Sequence, residues 1–239
     1  MAKITLNYSP NFSPKRRISK NIKYLIIHYT GMKDEKKAID RLTDKKSKVS
    51  CHYFIKINGE IILLVPESYI AWHAGVSSWK NKKSLNKFSI GIEIHNKGHD
   101  HGYSKFTEAQ INSTIVLCKK LIKKYKISNN NILGHSDIAY NRKKDPGEKF
   151  PWKKLANNKI GKWHNLDQKK LIRLRGAKIS SSEKKNMLKK LKKIGYLIKS
   201  ENHKLIKLIK AFQRRFRPEL INGKIDKECL VIVNKISNL

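Results

Sequence analysis

The first half of the chain contains short apolar runs bounded by polar and turn residues, a pattern that predicts strands of a β-sheet. Residues 22–30 are mostly β-branched, aliphatic or aromatic, which is typical of a buried strand. Residues 53–57 and 61–65 are two more such runs. They flank the dipeptide Asn58-Gly59, the strongest short signal for a hairpin turn.

Residues 89–94 read Ser-Ile-Gly-Ile-Glu-Ile, and the alternation of isoleucine predicts a strand with one apolar face. Glu93 is therefore expected on the opposite face. There an acid costs free energy unless it has a polar or charged role. Residues 131–133 predict a further short strand, which delivers His135 to a loop.

Apolar residues at helical spacing predict helices between these strands. Residues 34–46 carry a short apolar stripe, and Thr107 with Gln110 forms a capping-box pair before a long amphipathic segment. Strands and helices mixed in this order predict an α/β fold, with a central mixed β-sheet flanked by helices.

The C-terminal quarter predicts a small separate domain of three helices. The first helix follows the capping-box pair Ser180 and Glu183, the second has an apolar stripe in residues 205–216, and Asp226 can cap the third. The preceding segment is basic and weakly patterned. The predicted division is a main domain at 1–157, a linker at 158–180 and the three-helix domain at 181–239.

The chain carries an extreme positive charge. Its formal net charge is +36, and only nine of its 54 basic residues are arginine. Such a charge attracts polyanions, whether nucleic acid, an anionic membrane face or an anionic cell-wall polymer. The basic residues are spread along the chain and match no nucleic-acid-binding motif, so no nucleic-acid partner is expected.

Cysteine content and hydropathy bear on the compartment. Cys51, Cys118 and Cys229 are odd in number and far apart, so reduced, packed thiols are expected rather than a disulfide framework. No apolar stretch is long enough for a transmembrane segment, and the N-terminus lacks the apolar core of a secretory signal. These features predict a cytoplasmic protein, with the periplasm or cell envelope as the alternative, and a monomer is the default expectation.

Three residues carry the candidate metal chemistry. His28 closes the strand at 22–30, and His135 and Asp145 lie ten residues apart. Two imidazoles and one carboxylate suit a catalytic zinc, whose fourth position is left to water; the same set also accepts cobalt or nickel. Taken singly, each has an ordinary alternative: a hydrogen-bonded core histidine, a turn residue, and an aspartate that starts a turn before Pro-Gly.

Glu93 and Lys143 are the candidate catalytic residues. A glutamate beside an activated water can act as general base and then pass the proton to the leaving group. Lys143 precedes Asp145 by two residues and is suited to stabilising an oxyanion. Its ordinary alternative is one more solvated lysine among many.

Six motifs in chain order resemble the zinc-dependent N-acetylmuramoyl-L-alanine amidases of the type-2 amidase family, relatives of phage amidases and peptidoglycan recognition proteins. The resemblance covers roughly residues 20–157. The motifs are Ile26-Ile27-His28-Tyr29-Thr30, Val49-Ser50-Cys51-His52-Tyr53, Ala71-Trp72-His73-Ala74-Gly75, Ser89-Ile90-Gly91-Ile92-Glu93, Gly134-His135-Ser136-Asp137-Ile138-Ala139 and Arg142-Lys143-Lys144-Asp145-Pro146-Gly147.

The resemblance implies one zinc ion held by His28, His135 and Asp145, with Glu93 and Lys143 in catalysis. It implies hydrolysis of the amide between muramic acid, or 1,6-anhydro-muramic acid, and L-alanine of the stem peptide, in peptidoglycan recycling or turnover. The expected partners are peptidoglycan fragments or muropeptides. The alternative is a non-catalytic peptidoglycan recognition protein, but members that only bind usually lack the third metal ligand, which is present here.

The same resemblance suggests residues around the site. Trp72, His73 and Trp79 are expected to shape the substrate cleft, although core packing is an equal alternative for one tryptophan. His52 is expected to support a metal ligand from behind, with ordinary sheet packing as the alternative. Three histidines after Glu93 are expected in a solvated loop over the cleft: His95, His99 and His101.

The C-terminal segment resembles a small three-helix peptidoglycan-binding domain. The similarity lies in the segments 191–196, 211–218 and 222–226, and residues 213–218 match especially the version that is fused to this amidase type. The alternative is a helical cap that only stabilises the enzyme.

Overall fold

The computed structural model of the protein describes residues 4–199 and 201–239. Within these ranges the strands are β1 Ile4–Leu6, β2 Phe12–Ser13, β3 Tyr24–Tyr29, β4 Tyr53–Ile55, β5 Ile61–Leu63, β6 Ile70–Ala71, β7 Ser78–Trp79, β8 Lys82–Lys83, β9 Ser89–Ile94 and β10 Ile132–Gly134. The α-helices are α1 Glu35–Thr43, α2 Glu108–Tyr125, α3 His135–Ile138, α4 Trp152–Asn157, α5 Gln168–Leu174, α6 Ser181–Ile194, α7 Asn202–Phe216 and α8 Lys227–Ser237.

The central sheet is mixed, with the strand order β1-β5-β4-β9-β3-β10. Strands β4, β9, β3 and β10 run parallel to one another, and only the hairpin pair β4 and β5 is antiparallel. The carboxyl ends of β9, β3 and β10 therefore lie side by side at one edge of the sheet. This edge carries the candidate site.

Each face of the sheet is covered by helices. Leu25 and Ile27 of β3 pack in one cluster with the apolar residues of α2 and α4. Tyr24 and Ile26, on the other face of the same strand, pack with α6, α7 and α8, while Phe54 of β4 packs with α1. Because successive side chains of a strand point to opposite faces, β3 is buried on both sides. The predicted α/β sheet with flanking helices is confirmed.

Most local predictions are also confirmed. Thr107 and Gln110 make both hydrogen bonds of a capping box at the start of α2, as do Ser180 and Glu183 at α6. The Asp226 side chain caps α8. The helix predicted at 34–46 ends earlier, at Thr43, because Asp44 takes an extended conformation and caps a short 3₁₀ turn instead.

The segment at 158–180, expected as a linker, contains the helix α5. Its Leu171 is buried in the same apolar cluster as α6, α7 and α8, and His164 is buried as well. The weak apolar pattern concealed these contacts because only one residue of α5 is buried.

The three cysteines are buried free thiols, as predicted. Over the part of the chain that the structure describes, no helix is both long and apolar enough to cross a membrane.

Candidate metal centre and active site

Three neighbouring parallel strands bring the candidate residues together. His28 lies near the carboxyl end of β3 and pairs in register with Glu93 of β9, so both side chains lie on the same face of the sheet. His135 follows β10 directly. The Ser136 amide donates to the Asp145 carbonyl over 2.8 Å, which brings the returning chain back to the site. The carboxyl ends of these strands are adjacent, so residues that are distant in sequence lie close together.

His28, His135 and Asp145 form a compact triangle of donor atoms. The His28 Nδ1, His135 Nδ1 and Asp145 Oδ2 atoms are each 3.0 Å from the other two, and all three side chains are buried. Donor atoms around a tetrahedral zinc at about 2.0–2.1 Å lie roughly 3.4 Å apart. The three atoms converge on one point and can hold a metal ion.

The other ring nitrogen of each histidine lies within hydrogen-bond distance of a partner that fixes the ring. His135 Nε2 lies 3.2 Å from the Ala74 carbonyl, to which it can only donate. His28 Nε2 lies 3.1 Å from His73 Nδ1. A proton on each Nε2 leaves the lone pair of Nδ1 free for a metal, and the partner fixes the ring orientation.

The ionisation of these groups also suits metal binding. Burial and the neighbouring His135 lower the pKa of His28 to about 4, so its imidazole is neutral at physiological pH. Burial alone would raise the pKa of Asp145, but the imidazoles of His135 and His28 hold that pKa far below its ordinary value. At physiological pH the site therefore offers a metal the neutral imidazole of His28 and the ionised carboxylate of Asp145.

Glu93 and Lys143 line the same cleft as His135 and Asp145, a cavity of 630 Å³. Burial and the charge of Asp145 raise the pKa of Glu93 well above its ordinary value, although Lys143 opposes the shift. The Oε2 atom of Glu93 is buried and has no hydrogen-bond partner among the described residues. An unpaired buried carboxylate oxygen beside three convergent ligands is suited to binding a reacting group.

The two tryptophans predicted for the cleft have different positions. Trp72 lines the cleft, and its indole Nε1 donates to Ser13 Oγ over 3.2 Å. Trp79 is not part of the cleft lining and takes the alternative position, packed in the core. It is buried against Tyr196, with ring centroids 4.8 Å apart, because it packs between the sheet and the C-terminal helices.

His73 and His52 form a row of imidazoles behind His28. His73 is buried and lines the wall of the cleft. Its Nδ1 faces His28, and its Nε2 lies 3.2 Å from Ser89 Oγ. The His52 ring lies one step further back, 5.6 Å from the His73 ring centroid. Gly91 makes room for this row, since a Cβ there would lie 2.4 Å from His73 Cγ. His73 thus contacts a metal-site residue directly, whereas His52 contacts His73.

The three histidines after Glu93 are not one solvated loop. His95 is buried, and its amide donates to the Ile55 carbonyl over 2.9 Å, which continues the strand ladder. His99 lies between Tyr29 and Glu148. Only His101 is exposed, and it lines the cleft as expected.

Arg142 also contributes to the site, although its place at the start of the segment 142–147 predicted no role for it. Its guanidinium donates to the Ala74 carbonyl over 2.6 Å and to the Val76 carbonyl over 2.8 Å, and the side chain lines the cleft. Arg142 thereby fixes the carbonyl that orients His135. Its position inside a basic run gave no signal that separated it from the neighbouring lysines.

These features define the class: an α/β protein with a candidate metal centre and a half-buried glutamate at the carboxyl ends of parallel strands. A family model described as N-acetylmuramoyl-L-alanine amidase matches residues 18–148. The chain is 38% identical over 229 residues to the N-acetylmuramoyl-L-alanine amidase AmiD of Escherichia coli (strain K12), a match that covers 90% of this chain and 82% of AmiD.

Two solved structures extend the comparison. The complex of AmiD from E. coli with anhydro-N-acetylmuramic acid-L-Ala-D-gamma-Glu-L-Lys gives a TM-score of 0.78 at 37% identity, covering 90% of this chain and 88% of that one. AmpDh3 from Pseudomonas aeruginosa, in complex with an anhydromuramic pentapeptide, gives a TM-score of 0.79 at 32% identity, covering 93% and 92%.

The chain belongs to the N-acetylmuramoyl-L-alanine amidase family. It is an enzyme that hydrolyses the amide between muramic acid and L-alanine, as the motifs predicted. The family and enzyme class are therefore confirmed.

Proposed function

We propose that this amidase uses one zinc ion, held by His28, His135 and Asp145. The observation that carries the proposal is the triangle of three buried donor atoms, each 3.0 Å from the others. When bound there, zinc supplies Lewis-acid polarisation of an amide carbonyl and lowers the pKa of a water toward 7.

The chain's own residues then move the proton. Glu93 takes a proton from the attacking water and passes it to the leaving amine of L-alanine, as a general base and then a general acid. Burial and the charge of Asp145 raise the pKa of Glu93, which makes its carboxylate a stronger base than that of an ordinary glutamate. Lys143, in the same cleft, stabilises the negative charge that develops on the amide oxygen.

The substrate is a muropeptide, including one that ends in 1,6-anhydro-muramic acid. Both solved relatives described above hold an anhydromuramyl peptide. The cleft of this chain is rimmed by cationic side chains that suit the carboxylates of a stem peptide, and Trp72 offers an aromatic face beside them. These cations are Arg41, Arg142, Lys143 and Lys144.

We further propose that residues 1–157 carry the reaction and that the helices in 181–239 act as a peptidoglycan-binding domain, joined by 158–180. A monomeric state and a cytoplasmic location remain predictions from the sequence. Sedimentation and cell fractionation are the measurements that check them.

Mass spectrometry of a defined muramyl-peptide, incubated with the protein with and without a chelator, tests the proposed function. Release of the free stem peptide, abolished by chelation and restored by one equivalent of zinc, is the expected result. Release that is unaffected by complete metal removal would eliminate the zinc mechanism while leaving the amidase activity in place.

A further inference from the structure

A buried ion pair joins the C-terminal helices to the turn that carries His135. Arg215 of α7 donates from one terminal nitrogen to Asp137 Oδ2, and from the other to the Ile132 carbonyl over 2.9 Å. Asp137 lies two residues after His135, and Ile132 begins β10. One guanidinium therefore holds both ends of the short segment that presents His135.

Asp137 has two further donors. The Tyr196 hydroxyl, just after α6, donates to Oδ1 over 2.6 Å, and the Gly134 amide donates to Oδ2 over 2.8 Å. Asp137, Tyr196 and Arg215 are all at most 5% exposed. A buried carboxylate is held by the donors that satisfy it. Of the three donors to Asp137, the two side-chain donors, Tyr196 and Arg215, come from the C-terminal region.

The turn leaves little room for any other arrangement. The Arg215 guanidinium lies 4.3 Å from the Trp152 ring centroid, and a Cβ at Gly134 would lie 2.8 Å from the Pro146 ring and 3.3 Å from Trp152. The Ser136 amide of this turn donates to the Asp145 carbonyl. The turn thus places two of the three candidate metal ligands together.

We propose that Tyr196 and Arg215 are positioning residues for the metal centre, acting through Asp137 on His135. The inference rests on the zinc site of the proposed function. It makes the C-terminal helices part of the catalytic unit, in addition to any role in binding peptidoglycan. Tyr196 and Arg215 do not contact the three donor atoms, so each acts only by fixing the position of the His135 ring.

Tyr196→Phe tests the proposal with the smallest change. It removes the hydroxyl that Asp137 accepts from and keeps the ring that packs on Trp79. Tyr140→Phe is the matched control, because the Tyr140 hydroxyl also crosses to the C-terminal region, to the Leu197 carbonyl at 2.8 Å, without contacting Asp137.

The measurement is zinc affinity of the metal-free, full-length protein by competition with a chromogenic chelator, with folding verified by circular dichroism. Groups that support metal ligands contribute about 10- to 100-fold to affinity, so Tyr196→Phe is expected to bind zinc at least 10-fold more weakly, with Tyr140→Phe unchanged. Equal losses in both variants, or none in Tyr196→Phe, would overturn the proposal. A wild-type protein that binds no zinc would instead remove the proposed metal centre itself.

A second pair separates positioning from general stability of the helical bundle. Arg217 is buried on the same end of α7 and pairs with Asp226 and Glu228 inside the bundle. Lysine cannot reproduce the two-pronged contacts of either arginine, so Arg215→Lys and Arg217→Lys should both lower the unfolding temperature. Only Arg215→Lys is expected to weaken zinc binding. If Arg217→Lys weakened zinc binding as much as Arg215→Lys, the loss of zinc affinity would come from the lower stability of the helical bundle and not from the position of His135.

Discussion

Glu93 is a charged residue in an otherwise apolar strand, and its position fits the candidate active site. Its neighbours Ile92 and Ile94 are fully buried on one face of β9, while the carboxylate lies on the face that it shares with His28. Burying a carboxylate oxygen without a hydrogen-bond partner is unfavourable, so packing alone does not account for this position. The sequence pattern alone identified this conflict.

Glu93→Gln is expected to keep zinc and lose turnover by about 10²-fold or more, because an amide of the same shape cannot accept a proton. Steady-state hydrolysis of a muramyl-peptide gives the rate, and metal analysis of the same sample gives the zinc content. Asp145→Asn is the contrasting variant and should lose both. Nearly full turnover in Glu93→Gln would show that another group acts as the general base.

Gly91→Ala is expected to disturb the metal site from behind. The new methyl group would lie 2.4 Å from His73 Cγ, and overpacking of this kind costs about 1–3 kcal/mol. Because His73 is hydrogen-bonded to His28, zinc affinity should fall together with the midpoint of urea unfolding.

Gly176→Ala is the control for Gly91→Ala. Its added Cβ would meet no atom within 4 Å, although its φ of 77° carries strain of its own. That variant should lose stability but keep its zinc affinity. A loss of zinc affinity at Gly176→Ala as large as at Gly91→Ala would contradict the explanation through His73.

At the scale of single elements, local signals in the sequence predicted the hairpin and the helix caps but not α5. The hairpin turn and the caps of α2, α6 and α8 depend on residues within four positions of one another, and these were predictable. Three features join residues at least 45 positions apart: the row from His28 through His73, the packing of Trp79 against Tyr196 and the pair of Asp137 with Arg215. No local periodicity encodes such contacts, so only the structure revealed them.

The segment that contains α5 offers an element-scale prediction about pH. His164 is buried; its Nδ1 accepts from the Leu166 amide and its Nε2 faces the Phe216 carbonyl. Burial lowers the pKa of His164 below the value of about 6.5 expected in the unfolded chain. The unfolded state therefore binds more protons between the two pKa values, and the stability from neutral His164 is lost as pH falls from 6.5 through the folded pKa.

Comparison of unfolding free energies across this pH range for wild type and His164→Gln checks that prediction. Wild type should have the steeper slope, by at most about 1.4 kcal/mol per pH unit for one proton. The exposed His203 supplies the matched variant, His203→Gln, which should keep the wild-type slope. Parallel slopes for wild type and His164→Gln would show that His164 does not contribute to the acid sensitivity.

At the scale of the whole molecule, the C-terminal helices and the sheet share one apolar core. Tyr24 and Ile26 of β3 belong to the same buried cluster as Leu191, Phe212 and other residues of α6, α7 and α8. The fold therefore differs from two independent units on a flexible tether. A shared core and the buried Asp137–Arg215 pair couple the stability of both parts.

The shared core predicts a single cooperative unfolding transition for the metal-free protein, with equal calorimetric and van't Hoff enthalpies. Phe212→Ala, which empties a fully buried position of α7, should lower the midpoint of that one transition, since such a cavity costs about 3–5 kcal/mol. Differential scanning calorimetry is the measurement. Two transitions, of which Phe212→Ala shifts only one, would instead show that the helices fold as a separate unit. In that case the truncated chain 1–180 should stay folded and hydrolyse small muropeptides, whereas a shared core predicts that it unfolds because one face of β3 loses its cover.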